Sequence, residues 1–177
     1  MTLARAKSSL SAPDFFVMRH VNRWAAPHWI RWWTIAATRA GNGWFWLVCG
    51  IAVLASGDDL KYIATATAAL AAATGVLIFM ALKRAVARQR PCAFEPHCWA
   101  TLLPPDRFSF PSGHSITAFA VAVSLGLFYP AALPALLLCA LSVASSRILL
   151  GMHFLSDVIV GSVLGAALGW LAFSFMT

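Results

Sequence analysis

Charge is what this sequence has least of. Only 11% of its 177 residues are Asp, Glu, Lys or Arg, whereas a soluble chain carries about 25% to cover its surface. Hydrophobic residues make up 60% of the chain and gather into runs long enough to cross a bilayer, which excludes a soluble domain built around one core. Acidic residues number six, too few and too scattered for a carboxylate cage around a cation. The five His and four Cys form no constellation with zinc-like spacing, so the sequence requires no metal and no cofactor. Internal repeats and low-complexity tracts are absent. The basic opening "MTLARAKSSLSAPDFF" lacks the apolar core and small-residue cleavage site of a secretory signal and is expected to stay in the protein.

Cysteine is equally sparse. Cys49 and Cys139 lie in apolar runs, where cysteine behaves as a small buried hydrophobe. Cys92 and Cys98 lie in a polar loop, where their separation permits a disulfide if that loop faces an oxidising compartment.

What is present reads as an all-α, polytopic membrane bundle. Residues 14 to 33, "DFFVMRHVNRWAAPHWIRWW", interleave Phe and Trp with Arg and His, and Pro27 divides them into two helices suited to the headgroup layer. Residues 1–42 form this interfacial segment and 43–177 the transmembrane core of a single domain. About five spans are expected, at 44–56, 60–82, 113–129, 134–150 and 156–176. The first is short for a crossing. Gly161, Gly165 and Gly169 put a smooth stripe on the last span, a seam either for packing within the chain or for a homodimer.

Three stretches carry polar chemistry, and counting crossings puts them all on one membrane side. "KRAVARQRP" closes the second span at 83–91. Lys83 and Arg90, seven apart, return to nearly one face if helical, pairing an ammonium with a guanidinium fork as a phosphate requires. The same cations would serve as a snorkelling cluster at a membrane helix end. "FPSGH" occupies 110–114. There Ser112 caps the helix that follows, Gly113 opens its N–H groups to an anion, and His114 stands in the first turn. "SRILLGMHFLSD" runs over 146–157. His153 and Asp157, four apart, share a face if helical, so that the carboxylate holds one imidazole nitrogen while the other points outward. Arg147 stands in an otherwise apolar run, where a charge implies a partner or a task.

Taken in order, Lys83 with Arg90-Pro91, Pro111-Ser112-Gly113-His114, then Ser146-Arg147, His153 and Asp157 resemble the three-part signature of the type 2 phosphatidic acid phosphatase superfamily. The resemblance covers residues 83–157 and implies a bacterial lipid phosphatase with a metal-free, all-helical membrane core. It implies that His153 attacks phosphorus to give a phosphohistidine, that Asp157 orients it, and that His114 is general acid and then helps activate water. Lys83, Arg90, Ser112, the Gly113 backbone and Arg147 would bind the phosphoryl oxygens. The implied partner is a lipid phosphate, such as undecaprenyl diphosphate or a glycerophospholipid phosphate, and not a nucleic acid. Lipid A phosphatase, phosphatidylglycerophosphate phosphatase and phosphotransferase readings fit the same residues, and a non-enzymatic anion path would also use buried cations.

The implied location is the bacterial inner membrane. Twelve of the thirteen Lys and Arg, all but Lys61, fall on the site's side, which points to the cytoplasm. A Cys92–Cys98 disulfide would point to the other face.

Overall fold

A computed structural model describes residues 12–100 and 106–177. Among these residues seven helices form: α1 (Ala12–Arg23), α2 (His28–Ala40), α3 (Trp44–Ala55), α4 (Lys61–Val86), α5 (Gly113–Phe128), α6 (Leu133–Leu149) and α7 (Leu155–Met176). The expected break at Pro27 separates α1 from α2, with Pro27 as the α2 N-cap. Short 3₁₀ turns at Pro91–Ala93 and Pro130–Ala132 punctuate the connections around α5.

The side chains sort as they do in lipid. The interior is small, with Ala64, Ala71, Ala118, Ala120, Ala122 and Ala140 buried, while Leu47, Leu77, Leu138, Val163 and Phe175 point outward. Without a hydrophobic drive between helices in a bilayer, close backbone approach supplies the packing, and small residues permit it. Trp29, Trp32 and Trp44 are exposed near the interfacial segment, where indole rings sit at the headgroup level. Three segments are long and apolar enough to cross a membrane: Lys61–Val86, Pro130–Leu149 and Leu155–Met176. The chain is thus a membrane protein. α3 and α5 are apolar but shorter; the 12 residues of α3 rise only about 18 Å against a core of about 30 Å.

α5 is the central helix, packed by α4, α6 and α7. The glycine stripe of α7 is buried against it. A Cβ at Gly161 would lie 2.8 Å from the Ser112 carbonyl, at Gly165 2.3 Å from that of Ile116, and at Gly169 2.6 Å from that of Ala120. The stripe is therefore a seam within the chain, not a surface left for a second copy. It also sets the depth of Ser112, and so of the whole "PSGH" turn, against the start of α7.

Candidate active site

The chain direction alternates from α4 to α7, so the ends of α4 and α6 meet the starts of α5 and α7. Lys83, Arg90, Gly113, His114, Arg147 and His153 line one cavity of about 580 Å³ there, together with Asn42 and Asp106.

The turn between α6 and α7 delivers His153. Backbone N–H groups of Met152 and His153 both donate to the Arg147 carbonyl, at 3.1 and 3.2 Å. Gly151 has φ +62°, and a Cβ there would lie 2.8 Å from Asn22 Oδ1, so only glycine suits this turn. His153 lies just before α7, not on it. The shared helical face expected for His153 and Asp157 is replaced by a turn that feeds the first helical residues. His153 Nδ1 sits 3.7 Å from Asp157 Oδ2, too long for a hydrogen bond, and has no other partner. His153 Nε2 lies 3.2 Å from Arg90 Nη1. Because arginine only donates, Nε2 holds the lone pair and Nδ1 the proton, an assignment made from the network. Burial pushes His153 down to about 4; Asp157 opposes the shift, and Arg147 and Arg90 add to it. The ring is therefore neutral at ordinary pH, with its Nε2 lone pair directed at Arg90.

Arg90 reaches the cavity from outside a helix. α4 ends at Val86 because Ala87 takes a left-handed conformation, φ 48°, and Arg90 before Pro91 is extended, as residues preceding proline are. The pairing with Lys83 expected from helical periodicity is thus reached through a loop. Arg90 is held at every edge, donating to the Met152 carbonyl at 2.7 Å and to the Asp106 carbonyl and carboxylate at 2.8 and 3.0 Å. Lys83 Nζ donates to the same carboxylate at 2.6 Å. Asp106 therefore occupies donors that a phosphoryl group would use. Arg147, 3% exposed, donates from Nη1 to Thr38 Oγ1 and leaves its Nε without a partner.

Ser112 caps α5 by accepting from Ser115 N–H, and Ser115 Oγ also donates to its hydroxyl at 2.9 Å. It is wholly buried and lies behind the cavity lining, which takes Gly113 and His114 instead. His114 Nε2 lies 2.7 Å from Asn42 Oδ1; with that oxygen accepting, the ring presents an N–H. Asp157 is also fully buried, accepting from Phe154 N–H at 2.9 Å in one half of a capping box.

Sequence reading missed several contributors, Asp14 of α1 among them. Asp106 lies outside any helix, with no helical register to place it. Asn42 lies in the "RAGNG" turn and Thr38 on α2, both far in sequence from the motifs they meet. Arg88, one of the four cations of "KRAVARQRP", grips Asp157 Oδ1 at 2.6 Å, a partner that no spacing within that stretch encodes. Cys92 and Cys98 are both free thiols, and Cys98 Sγ donates to the Trp24 carbonyl at 3.2 Å. Among the described residues no group of three or more His, Cys, Asp and Glu could hold a metal ion.

A second cavity of about 350 Å³ adjoins the first, sharing Gly43 and Thr117. Its walls come from Trp46, Leu47, Ile51 and Leu54 on α3 and Val121 and Leu125 on α5, over a floor of Ala68, Ala69 and Ala72 on α4.

Comparison with known proteins gives the chain its family. The family model of the PAP2 superfamily matches residues 61–177. A decaprenylphosphoryl-5-phosphoribose phosphatase of Mycobacterium tuberculosis is 42% identical over 107 residues, covering 60% of this chain and 56% of that protein. A lipid A 1-phosphatase of Rhizobium etli is 37% identical over 100 residues, covering 54% of this chain and 41% of that protein. The matched stretches thus span about half the length of these curated relatives. The crystal structure of Aquifex aeolicus LpxE superposes with a TM-score of 0.75 at 24% identity, covering 94% of this chain and 97% of that one, which shows a shared fold.

Proposed function

The chain belongs to the PAP2 superfamily, and from that premise we propose that it is a metal-independent lipid phosphatase of the bacterial inner membrane, working through a phosphohistidine. The observation that carries the reading is the convergence of Lys83, Arg90 and Arg147 with His114 and His153 on one cavity that opens into an apolar groove.

In the first step His153 Nε2 attacks phosphorus. A P–N bond forms, the bond to the leaving oxygen breaks with its electron pair, and His114 gives that oxygen a proton. The three cations and the Gly113 N–H hold the equatorial oxygens, with contacts that tighten as charge develops. Ser112 supports this helix start by capping it. In the second step water attacks the phosphohistidine, passes its proton to His114, and the P–N bond breaks to free phosphate and His153. Asp157 carries the charge that steadies His153 as it becomes cationic.

The apolar groove supports a lipid substrate. From Gly43 to Leu54 it follows α3 for about 16 Å at about 1.5 Å per residue, into the depth where hydrocarbon lies. A tail laid there exchanges contacts with neighbouring lipid for contacts with α3, α4 and α5, so the groove orients the lipid through packing and not through removal from water. A polyprenyl phosphate or diphosphate, a phosphorylated prenyl sugar, lipid A and phosphatidylglycerophosphate all offer a tail and a terminal phosphate.

The test is phosphate release by the purified protein in detergent from a panel of these lipids, with His153→Gln alongside. One lipid turned over by the wild type and none by the variant supports the reading. Turnover by His153→Gln at the wild-type rate overturns the mechanism, and the absence of any wild-type turnover favours an anion path through the same cations.

A further inference from the structure

The buried carboxylate behind His153 is held from the N-terminal helix. Arg88 forks between two acids: Nη1 donates to Asp157 Oδ1 at 2.6 Å and Nη2 to Asp14 Oδ2 of α1 at 2.7 Å. Ser156 closes the ring. It accepts from Arg88 Nη1 at 2.7 Å, donates its hydroxyl to Asp14 Oδ2 at 2.6 Å, and donates its backbone N–H to Asp14 Oδ1 at 2.8 Å. The guanidinium lies over the Phe154 ring, 4.3 Å from its centroid. Asp14 and Asp157 are 2% and 0% exposed, so neither charge is held by water.

This cluster is too well joined to be a snorkelling cation. A buried carboxylate without a partner is costly, and here one guanidinium answers two of them from the two ends of a rigid planar fork, where an ammonium would offer a single freely rotating point charge. Both acids also sit at the α7 N-terminus, where N–H groups and the helix dipole favour negative charge. The arrangement fixes Asp157 Oδ1 on Arg88 and Oδ2 on the Phe154 N–H, leaving Oδ2 turned toward the unpartnered His153 Nδ1.

We propose that Arg88, anchored by Asp14, is a positioning residue for Asp157, so that the interfacial helix α1 is a working part of the phosphoryl-transfer site and not only an anchor. The proposal rests on the reading of His153 as nucleophile. Arg88 touches neither the cavity lining nor the reacting atoms. It sets the direction of the Asp157 carboxylate and offsets part of its charge, and so governs how strongly His153 is drawn toward its protonated form. Other charged groups facing His153 are Arg90 from the loop after α4, with Lys83 and Asp106 beside it, His114 from α5 and Arg147 from α6. None of these contacts Asp157 in the way Arg88 does.

The experiment uses the full chain in detergent, with ¹⁵N-labelled histidine and the His153 ring assigned by its loss in His153→Gln. Titrating the ring reads Arg88 without any turnover. In Arg88→Gln the uncompensated Asp157 charge favours the imidazolium, so the His153 midpoint rises; Arg88→Lys restores the charge and returns the midpoint toward wild type. Asp14→Asn leaves all of the Arg88 charge to Asp157 and moves the midpoint down. Parallel kinetics on the best lipid show kcat falling on the order of ten- to a hundredfold in Arg88→Gln with KM nearly unchanged, and only partial recovery in Arg88→Lys, which lacks the fork. A general loss of packing would shrink the folded fraction without moving the midpoint in opposite directions. An unchanged midpoint in Arg88→Gln overturns the proposal. If that variant fails to fold, an unchanged or raised midpoint in Asp14→Asn does so. Failure of the phosphatase reading looks different, since wild type would then release no phosphate whatever the titrations show.

Discussion

Asp106→Asn should tighten anion binding. The Asp106 carboxylate bridges Lys83 Nζ at 2.6 Å and Arg90 Nη2 at 3.0 Å, and a phosphoryl group that uses those donors must displace it. Charge-assisted hydrogen bonds contribute about 1.5–3 kcal/mol each, but Asp106 is 39% exposed, so solvent screening reduces the pair to roughly 1–2 kcal/mol in all. Asparagine keeps the oxygen that accepts from the Phe108 N–H at 3.0 Å and removes the charge. About 1.4 kcal/mol corresponds to a factor of ten, so vanadate should inhibit the variant about tenfold more tightly, with KM lowered in step. Burial raises the Asp106 carboxyl, but Lys83 and Arg90 outweigh it and hold it below the usual carboxylate range. It is therefore ionised through the neutral range, and in wild type the competition relaxes only as pH falls through that depressed value. Inhibition constants for vanadate, measured at neutral pH and fixed salt, decide the matter. Equal or weaker vanadate binding by Asp106→Asn would show that the carboxylate organises the cations for phosphate instead of competing with it.

Three further outcomes follow from the same geometry. Gly161→Ala places a Cβ 2.8 Å from the Ser112 carbonyl, so the backbone must shift at a cost of about 1–3 kcal/mol of stability, and in the folded fraction the displaced "PSGH" turn should lower kcat more than tenfold; unchanged kcat would separate the turn from catalysis. Gly50 lines the groove, and its nearest neighbour to an added Cβ is Thr65 Cγ2 at 3.8 Å; Gly50→Phe should therefore fill the groove, raising KM for long-tailed lipids but not for a short water-soluble phosphate ester. His153, pushed from 6.5 to about 4, keeps its nucleophilic form down to that pH, so the acid limb of kcat/KM assigned to it should lie near 4 and not near 6.5. The same sign applies to stability: the neutral buried ring contributes fully above pH 6.5, and that contribution is lost as pH falls toward 4.

The motifs were legible because their residue types are costly in an apolar chain. Arg147 in a hydrophobic run and His114 at a helix start both line the cavity. The three long spans and the helix break at Pro27 followed from the length of the apolar runs and from proline chemistry. Helical spacing, however, gave the right partners for the wrong reason. Lys83 and Arg90 meet through a loop that Ala87 opens, and His153 precedes the helix that carries Asp157. Asn42, Asp106 and Asp14 were invisible because each reaches the site across the fold; Asp14 lies 74 residues from Arg88, a separation that no local pattern encodes. The glycine stripe left two roles open, and the carbonyls of Ser112, Ile116 and Ala120 above it decide for packing within the chain.

The central claim is a covalent phosphate on His153, and rapid quenching tests it most directly. Wild-type protein mixed with the best lipid of the panel, labelled in its terminal phosphate, and quenched in base within one turnover should carry label that is stable to base and labile to acid, mapped to His153 and absent from His153→Gln. Turnover of the lipid with no label on the protein, or label on another residue, would contradict the account.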